Sequence, residues 1–197
     1  MSEQRYRVAY EAARLLYIRA VKEYIQAKEL AASNLGIHEN PSNFEVALQL
    51  DKIIDEEEGT QREERLVEMR NIALNIMRLF QDYNPILIGS VWRGTSRLGS
   101  DIDIIIFTKN ISKIQQMLTS YQILERGEVK FKDGVKAYHF ILKAKYPVDL
   151  VVRHPDDYKE TKCDIYGDIK KGINPIELER LLLSNPQRKF IPRKRPR

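Results

Sequence analysis

The sequence predicts an α+β fold, in which a helical first part leads into a small sheet flanked by further helices. Three observations predict it. Residues 2–32 contain neither proline nor glycine and are rich in Ala, Leu, Arg, Glu and Lys, a helix-forming composition. From residue 86 onward the apolar runs shorten to roughly four to eight residues, as strands do. Two of these runs flank Lys132-Asp133-Gly134, and Asp-Gly supplies the positive φ that a tight hairpin turn needs.

The helical part divides into three. The first helix is predicted from Ser2 to Ala32, with Tyr10, Tyr17 and Tyr24 at heptad spacing and Ala13, Ala20 and Ala27 three positions after each. Leu15, Ile18, Val21 and Ile25 widen its apolar face, which favours packing in a helical bundle. The Tyr/Ala stripe reads as a close helix-helix contact, or as a tyrosine surface that stacks bases or joins two protomers. After a turn region carrying Gly36 and Pro41, Ser42 and Glu45 stand at capping-box spacing and open a second helix. Its acidic end, Asp55 to Glu58, reads as a solvated helix terminus closed by Gly59, because adjacent helical carboxylates fan around the axis. Thr60 and Glu63 open a third helix, whose apolar residues Leu66, Met69, Ala73, Met77 and Phe80 keep helical spacing until Asn84-Pro85 stops it. Residues 1–83 are thus expected to form a three-helix bundle.

Residues 84–187 carry the predicted sheet. Ile86 to Ile88 and Ile102 to Phe107 are strands, and Ser112 to Ser120 a short helix. Ile123 to Phe131 and Val135 to Lys143 form the hairpin, and Val148 to Val152 a last strand. Asn174-Pro175-Ile176-Glu177 caps a final helix that runs to Ser184. Residues 188–197 are strongly basic and broken by prolines, and are expected to be a mobile tail able to meet phosphates.

Composition bounds the partners. With 197 residues, 31% charged and 43% hydrophobic, the chain can bury a sizeable core under a well-solvated surface. A formal net charge of +5 and a pI near 9.2 favour an anionic partner: RNA, DNA, a nucleotide or a membrane surface. The single cysteine, Cys163, allows no internal disulfide. Neither a signal-peptide core nor an apolar run of about 18 residues is present. A cytoplasmic protein with no membrane contact is expected.

The chemistry centres on Gly89 to Phe107, where a loop rich in Gly, Ser, Thr and Arg leads to Asp101-Ile102-Asp103 at the head of an apolar strand. Residues two apart in a strand share a face, so the two carboxylates stand side by side where they repel. Asp149 places a third carboxylate within an apolar strand. Oxygen donors of this kind suit Mg²⁺ or Mn²⁺, whereas zinc would require His or Cys at ligand spacing. The loop's backbone N–H groups and hydroxyls, with Arg93 and Arg97, can approach phosphate oxygens. His139 alternates with Tyr138 and Phe140 and reads as a satisfied sheet histidine. His38 and His154 carry no ligand spacing.

Gly89-Ser90, ten residues, then Asp101-Ile102-Asp103 in an apolar strand resembles the nucleotidyltransferase superfamily of DNA polymerase β and the poly(A) and CCA-adding polymerases. Gly89-Ser90-x-x-Arg93-Gly94 with Ser100-Asp101-x-Asp103 looks most like its minimal members from archaea and bacteria. The resemblance covers residues 86–152 and implies a small mixed sheet backed by helices. It implies that Gly89 and Ser90 bind the β- and γ-phosphates of a nucleoside triphosphate. By the same resemblance Asp101 and Asp103 would hold two metal ions, and Asp149 would ligate the catalytic ion and help activate the attacking hydroxyl. Ser100 would brace the metal site, and Arg93 would support the loop or the phosphates, next to Gly94. The implied activity is transfer of a nucleoside monophosphate to a hydroxyl on a polynucleotide end or a protein side chain, with release of pyrophosphate. The alternatives are a non-catalytic nucleotide- or RNA-binding module of the same fold and a scaffold that dimerises through the amino-terminal helices.

Overall fold

The computed structural model describes residues 2–130, 134, 136–157, 161–170 and 172–193. Two compact units emerge, Met1–Arg62 with Thr161–Ile169 and Ile191–Arg197, and Glu63–Glu160 with Lys170–Phe190.

The first unit is helical. α1 (Glu3–Tyr17) starts at Ser2, whose hydroxyl accepts from the Arg5 N–H, and α2 (Tyr24–Leu35) ends at Gly36 in the left-handed conformation. The single helix expected from Ser2 to Ala32 is therefore two. The chain turns back between them, with Arg19 at φ 58. Neither glycine nor proline marks this turn; packing dictates it, since Ala9, Ala12, Ala13, Ala27 and Ala31 are all fully buried in one core. Small residues let two helices approach closely, so Ala13 and Ala27 of the heptad stripe serve a helical hairpin, whereas Ala20 lies exposed in the turn. The tyrosines divide: Tyr17 and Tyr24 pack on that core, whereas Tyr6 and Tyr10 stack on each other at the surface.

α3 (Asn43–Leu79) opens with the expected capping box: the Glu45 N–H donates to Ser42 Oγ, and the Ser42 N–H to Glu45 Oε2. At Gly59 the backbone leaves the helical region (φ 50, ψ −135), where the second predicted helix was to end. The residues beyond Gly59 differ from expectation in their partners. Leu66, Met69, Ala73, Met77 and Phe80 belong to the core of the second unit, where they meet the sheet.

That sheet has five strands in the order β1-β2-β5-β4-β3. They are β1 (Ile86–Ile88), β2 (Ile102–Phe107), β3 (Ile123–Lys130), β4 (Lys136–Leu142) and β5 (Val148–Arg153). β2 and β5 run parallel and the other neighbours antiparallel, so the sheet is mixed. Strand alternation sends Ile102, Ile104, Ile106, Phe140, Leu142, Val148, Leu150 and Val152 into the core. The opposite face carries the polar residues of interest. The turn predicted at 132–134 lies largely outside the described residues; Gly134 has φ 83.

α4 (Gly89–Arg93) follows β1, and α5 (Ile111–Met117) follows β2 with Ile114 buried. β6 (Thr161–Lys162) pairs with β7 (Ile169–Lys170). α6 (Pro175–Ser184) carries the capping box predicted at Asn174 and Glu177 and buries Leu178 and Leu181. Just before it, Ile173 exchanges two backbone hydrogen bonds with Leu87, at 2.9 and 3.0 Å, and covers the free edge of β1.

Candidate active site

The site lies on the face of the sheet turned away from its core. Strand register aligns Ile88, Asp103, Asp149, Ile141 and Glu125 in one row across β1, β2, β5, β4 and β3. Asp103 and Asp149 are direct partners on the two parallel strands. Asp101 stands one residue ahead of β2 and is exposed, whereas Asp103 and Asp149 are half-buried.

Gly89 shows why the motif needs glycine there. Its φ is 70, and a Cβ at this position would fall 2.0 Å from Asp103 Oδ2. Any side chain would collide with the carboxylate, so the loop's first residue and the strand's second aspartate form one device. Gly94 is held differently: at φ 79 it ends α4, and a Cβ would meet the Arg188 carbonyl oxygen at 2.7 Å. Ser90 stays within α4, its carbonyl accepting from the N–H groups of Gly94 and Thr95. Ser100 closes the loop, its Oγ accepting from the Arg97 N–H at 3.0 Å.

Two of the carboxylates are held above their ordinary pKa. Burial pushes Asp103 up to about 7, with the charges of Asp101 and Asp149 adding to the effect. Burial also raises Asp149, against the pull of His139. His139 Nδ1 lies 3.5 Å from Asp149 Oδ1, and that oxygen is buried without a hydrogen-bond partner.

The Arg93 guanidinium turns into the protein. It is 4% exposed, and its Nη1 donates to the Phe190 carbonyl at 2.8 Å while the Phe190 N–H donates back to the Arg93 carbonyl at 2.8 Å. Trp92 and Phe190 stack with ring centres 6.0 Å apart. Residues 188–190, expected to be mobile, are therefore fixed against α4, because two rings and a pair of backbone bonds hold them.

Sequence reading did not single out Arg70. This fully buried guanidinium donates to four carbonyls: Val91 at 3.1 Å, Trp92 at 2.8 Å, Pro186 at 2.6 Å and Arg188 at 2.9 Å. Burial lowers its pKa to about 10, so it stays charged at neutral pH. A signal was present, since an arginine occupies position 70 on the apolar face marked by Leu66, Ala73 and Met77.

A hard divalent cation fits the donor chemistry here. The donors are all carboxylate oxygens, the charges of Asp101 and Asp149 both act on the buried Asp103, and a cation would relieve that repulsion. Among the described residues, no three His, Cys, Asp or Glu side chains are already drawn together to hold one.

No curated protein matches the sequence. Among solved structures, one described as a cytoplasmic RNA terminal U-transferase is 14% identical, covers 57% of this chain and 38% of its own, and gives a TM-score of 0.34. The GLD-2/RNP-8 complex gives 15%, 56%, 43% and 0.33 in the same order. The chain thus matches about two fifths of the length of these structures. Residues 46–178 match the family model "Poly(A) RNA polymerase, mitochondrial-like, central palm domain", a span that takes in the glycine loop and all three aspartates. The chain belongs to this family of polymerase palm domains, and with it to the DNA polymerase β-like nucleotidyltransferase superfamily.

Proposed function

We propose that the protein transfers a nucleoside monophosphate from a triphosphate, ATP first among them, to the 3′-hydroxyl of an RNA. The observation that carries this reading is the alignment of Asp103 with Asp149 on adjacent parallel strands, with Gly89 held bare against Asp103. The poly(A) polymerase type of palm and the net charge of +5 support RNA as the acceptor ahead of a protein side chain.

The chain's own groups divide the work. Gly89 and Ser90 offer backbone N–H groups to the outer phosphates, where no Cβ keeps the nucleotide at a distance. Asp101, Asp103 and Asp149 would hold Mg²⁺ or Mn²⁺, which lowers the pKa of the acceptor hydroxyl and offsets the charge of the phosphates. Asp149 takes the hydroxyl proton as the oxygen bonds to the α-phosphorus and the bond to pyrophosphate breaks. Arg70 and Arg93 act from behind the loop, Arg70 by donating to the Val91 and Trp92 carbonyls of α4 and Arg93 by tying α4 to the Phe190 carbonyl.

The test is incubation with Mg²⁺ or Mn²⁺ and each labelled triphosphate, in separate reactions with an RNA primer, a DNA primer and a cell lysate. RNA extended by wild type but not by Asp101→Ala or Asp103→Ala is the expected result. No labelled product, or equal labelling by both variants, would overturn the reading. A non-catalytic palm that binds nucleotide or RNA is the second reading, favoured by the fact that no three described ligand side chains already converge. It requires nucleotide binding without transfer.

A further inference from the structure

We propose that His139 is a positioning residue for Asp149, donating from Nδ1 to fix the carboxylate that takes the acceptor's proton. The inference rests on the role proposed above for Asp149. His139 pairs with Val151 on one side and Gly127 on the other, one row removed from Asp149 and Glu125 on the same face. Its ring lies diagonally between these two carboxylates. Nδ1 is 3.5 Å from Asp149 Oδ1, and Nε2 is 3.9 Å from Glu125 Oε1. The imidazole is 13% exposed, against 66% for the Glu125 side chain, so Asp149 meets the ring in the sheltered part of the site and Glu125 at the rim. Gly127 has no side chain to crowd the ring from β3.

Two facts give this contact a purpose. Asp149 Oδ1 is buried and has no hydrogen-bond partner, and an unsatisfied buried carboxylate oxygen is costly. An ionised carboxylate can only accept, so the nitrogen facing it must be the one that carries hydrogen. At 3.5 Å the pair stops short of a hydrogen bond, as catalytic pairs often do before substrate binds. Closing it would lock the rotation of Asp149 and leave its second oxygen for the cation and the acceptor hydroxyl. Neutral imidazole suffices for this role.

The experiment compares full-length wild type with His139→Leu, which has no donor, and His139→Asn, whose amide nitrogen falls near the place of Nδ1. Three quantities are measured: kcat and KM for labelled ATP on an RNA primer, Mn²⁺ affinity by electron paramagnetic resonance without substrate, and the thermal transition. His139→Leu is expected to lose about 10- to 100-fold in kcat and a similar factor in Mn²⁺ affinity, with KM for ATP changed less than about twofold. His139→Asn should recover most of both. Wild-type kcat and Mn²⁺ affinity in His139→Leu, or equal losses in the two variants, would overturn the proposal. Should His139→Leu not fold, His139→Gln takes its place, because its amide nitrogen falls near Nε2; equal kcat and Mn²⁺ affinity in Gln and Asn would then overturn it. Absence of transfer by wild type would sink the proposed function alone, since the Mn²⁺ series still decides the role of His139.

Discussion

Asp103 stands in conflict with its own fold. Its carboxyl, ordinarily near 3.8, is pushed up to about 7, so the native state holds a proton that the unfolded chain has already released. The sign follows from linkage: this site favours the fold below about pH 4, and that contribution is lost as pH rises through about 7. Asp103→Asn removes the conflict. In metal-free protein at pH 8 it should raise stability by about 1–2 kcal/mol in urea unfolding while abolishing transfer, the trade-off expected at a functional site. Glu45 has the opposite sign. The Arg5 guanidinium and the Ser42 cap hold it at about 2, so its contribution is full above about pH 4.5 and is lost as pH falls toward 2. Glu45→Gln should therefore flatten the acid limb of a melting-temperature series over that window, with a loss near neutral pH of about 1 kcal/mol. Sequence alone picked out Asp101, Asp103, Asp149 and the Ser42–Glu45 box, because charge within an apolar strand and capping spacing are local signals. The His139–Asp149 contact was not legible, since it depends on the register between β4 and β5.

At the scale of elements, the glycine loop is only as rigid as what stands behind it. α4 has five residues, too few for its own hydrogen bonds to hold it, and its carbonyl end is held by the Arg70 guanidinium. Arg70→Met leaves four carbonyls without that donor and should cost roughly 3–5 kcal/mol of unfolding free energy. Arg70→Lys, with one ammonium in place of a planar fork, should recover less than half of the loss, and its KM for triphosphate should rise more than its kcat falls. Strands β1, β2 and β5, the capping boxes at Ser42–Glu45 and Asn174–Glu177 and the break at Gly59 could be read from the sequence, since each has a local cause, whereas the helix start expected at Thr60 and Glu63 falls inside α3. The turn at Arg19 could not. No residue there demands it, and the alanine faces of α1 and α2 are buried only once the chain has doubled back.

Over the whole molecule, charge and connectivity matter most. A net charge of +5 should make RNA affinity fall steeply with salt. Residues 194–197 carry three of the positive charges, so their deletion should flatten the slope of log K against log salt by up to about 2, at about 0.7 per phosphate contact, in a filter-binding titration. The sequence placed the end of the helical part at residue 83, yet the compact units divide between Arg62 and Glu63. Helical periodicity shows that Leu66 to Phe80 form an apolar face, but not which core receives it. The contacts of residues 186–190 also bear on synthesis. Arg70 reaches carbonyls 116 and 118 positions later, and Arg93 one 97 positions later. A ribosome releases the chain from its amino end, so the glycine loop is made long before the residues that brace it. It can settle only after Phe190 has left the exit tunnel, and nascent chains that stop short of that point should not retain triphosphate.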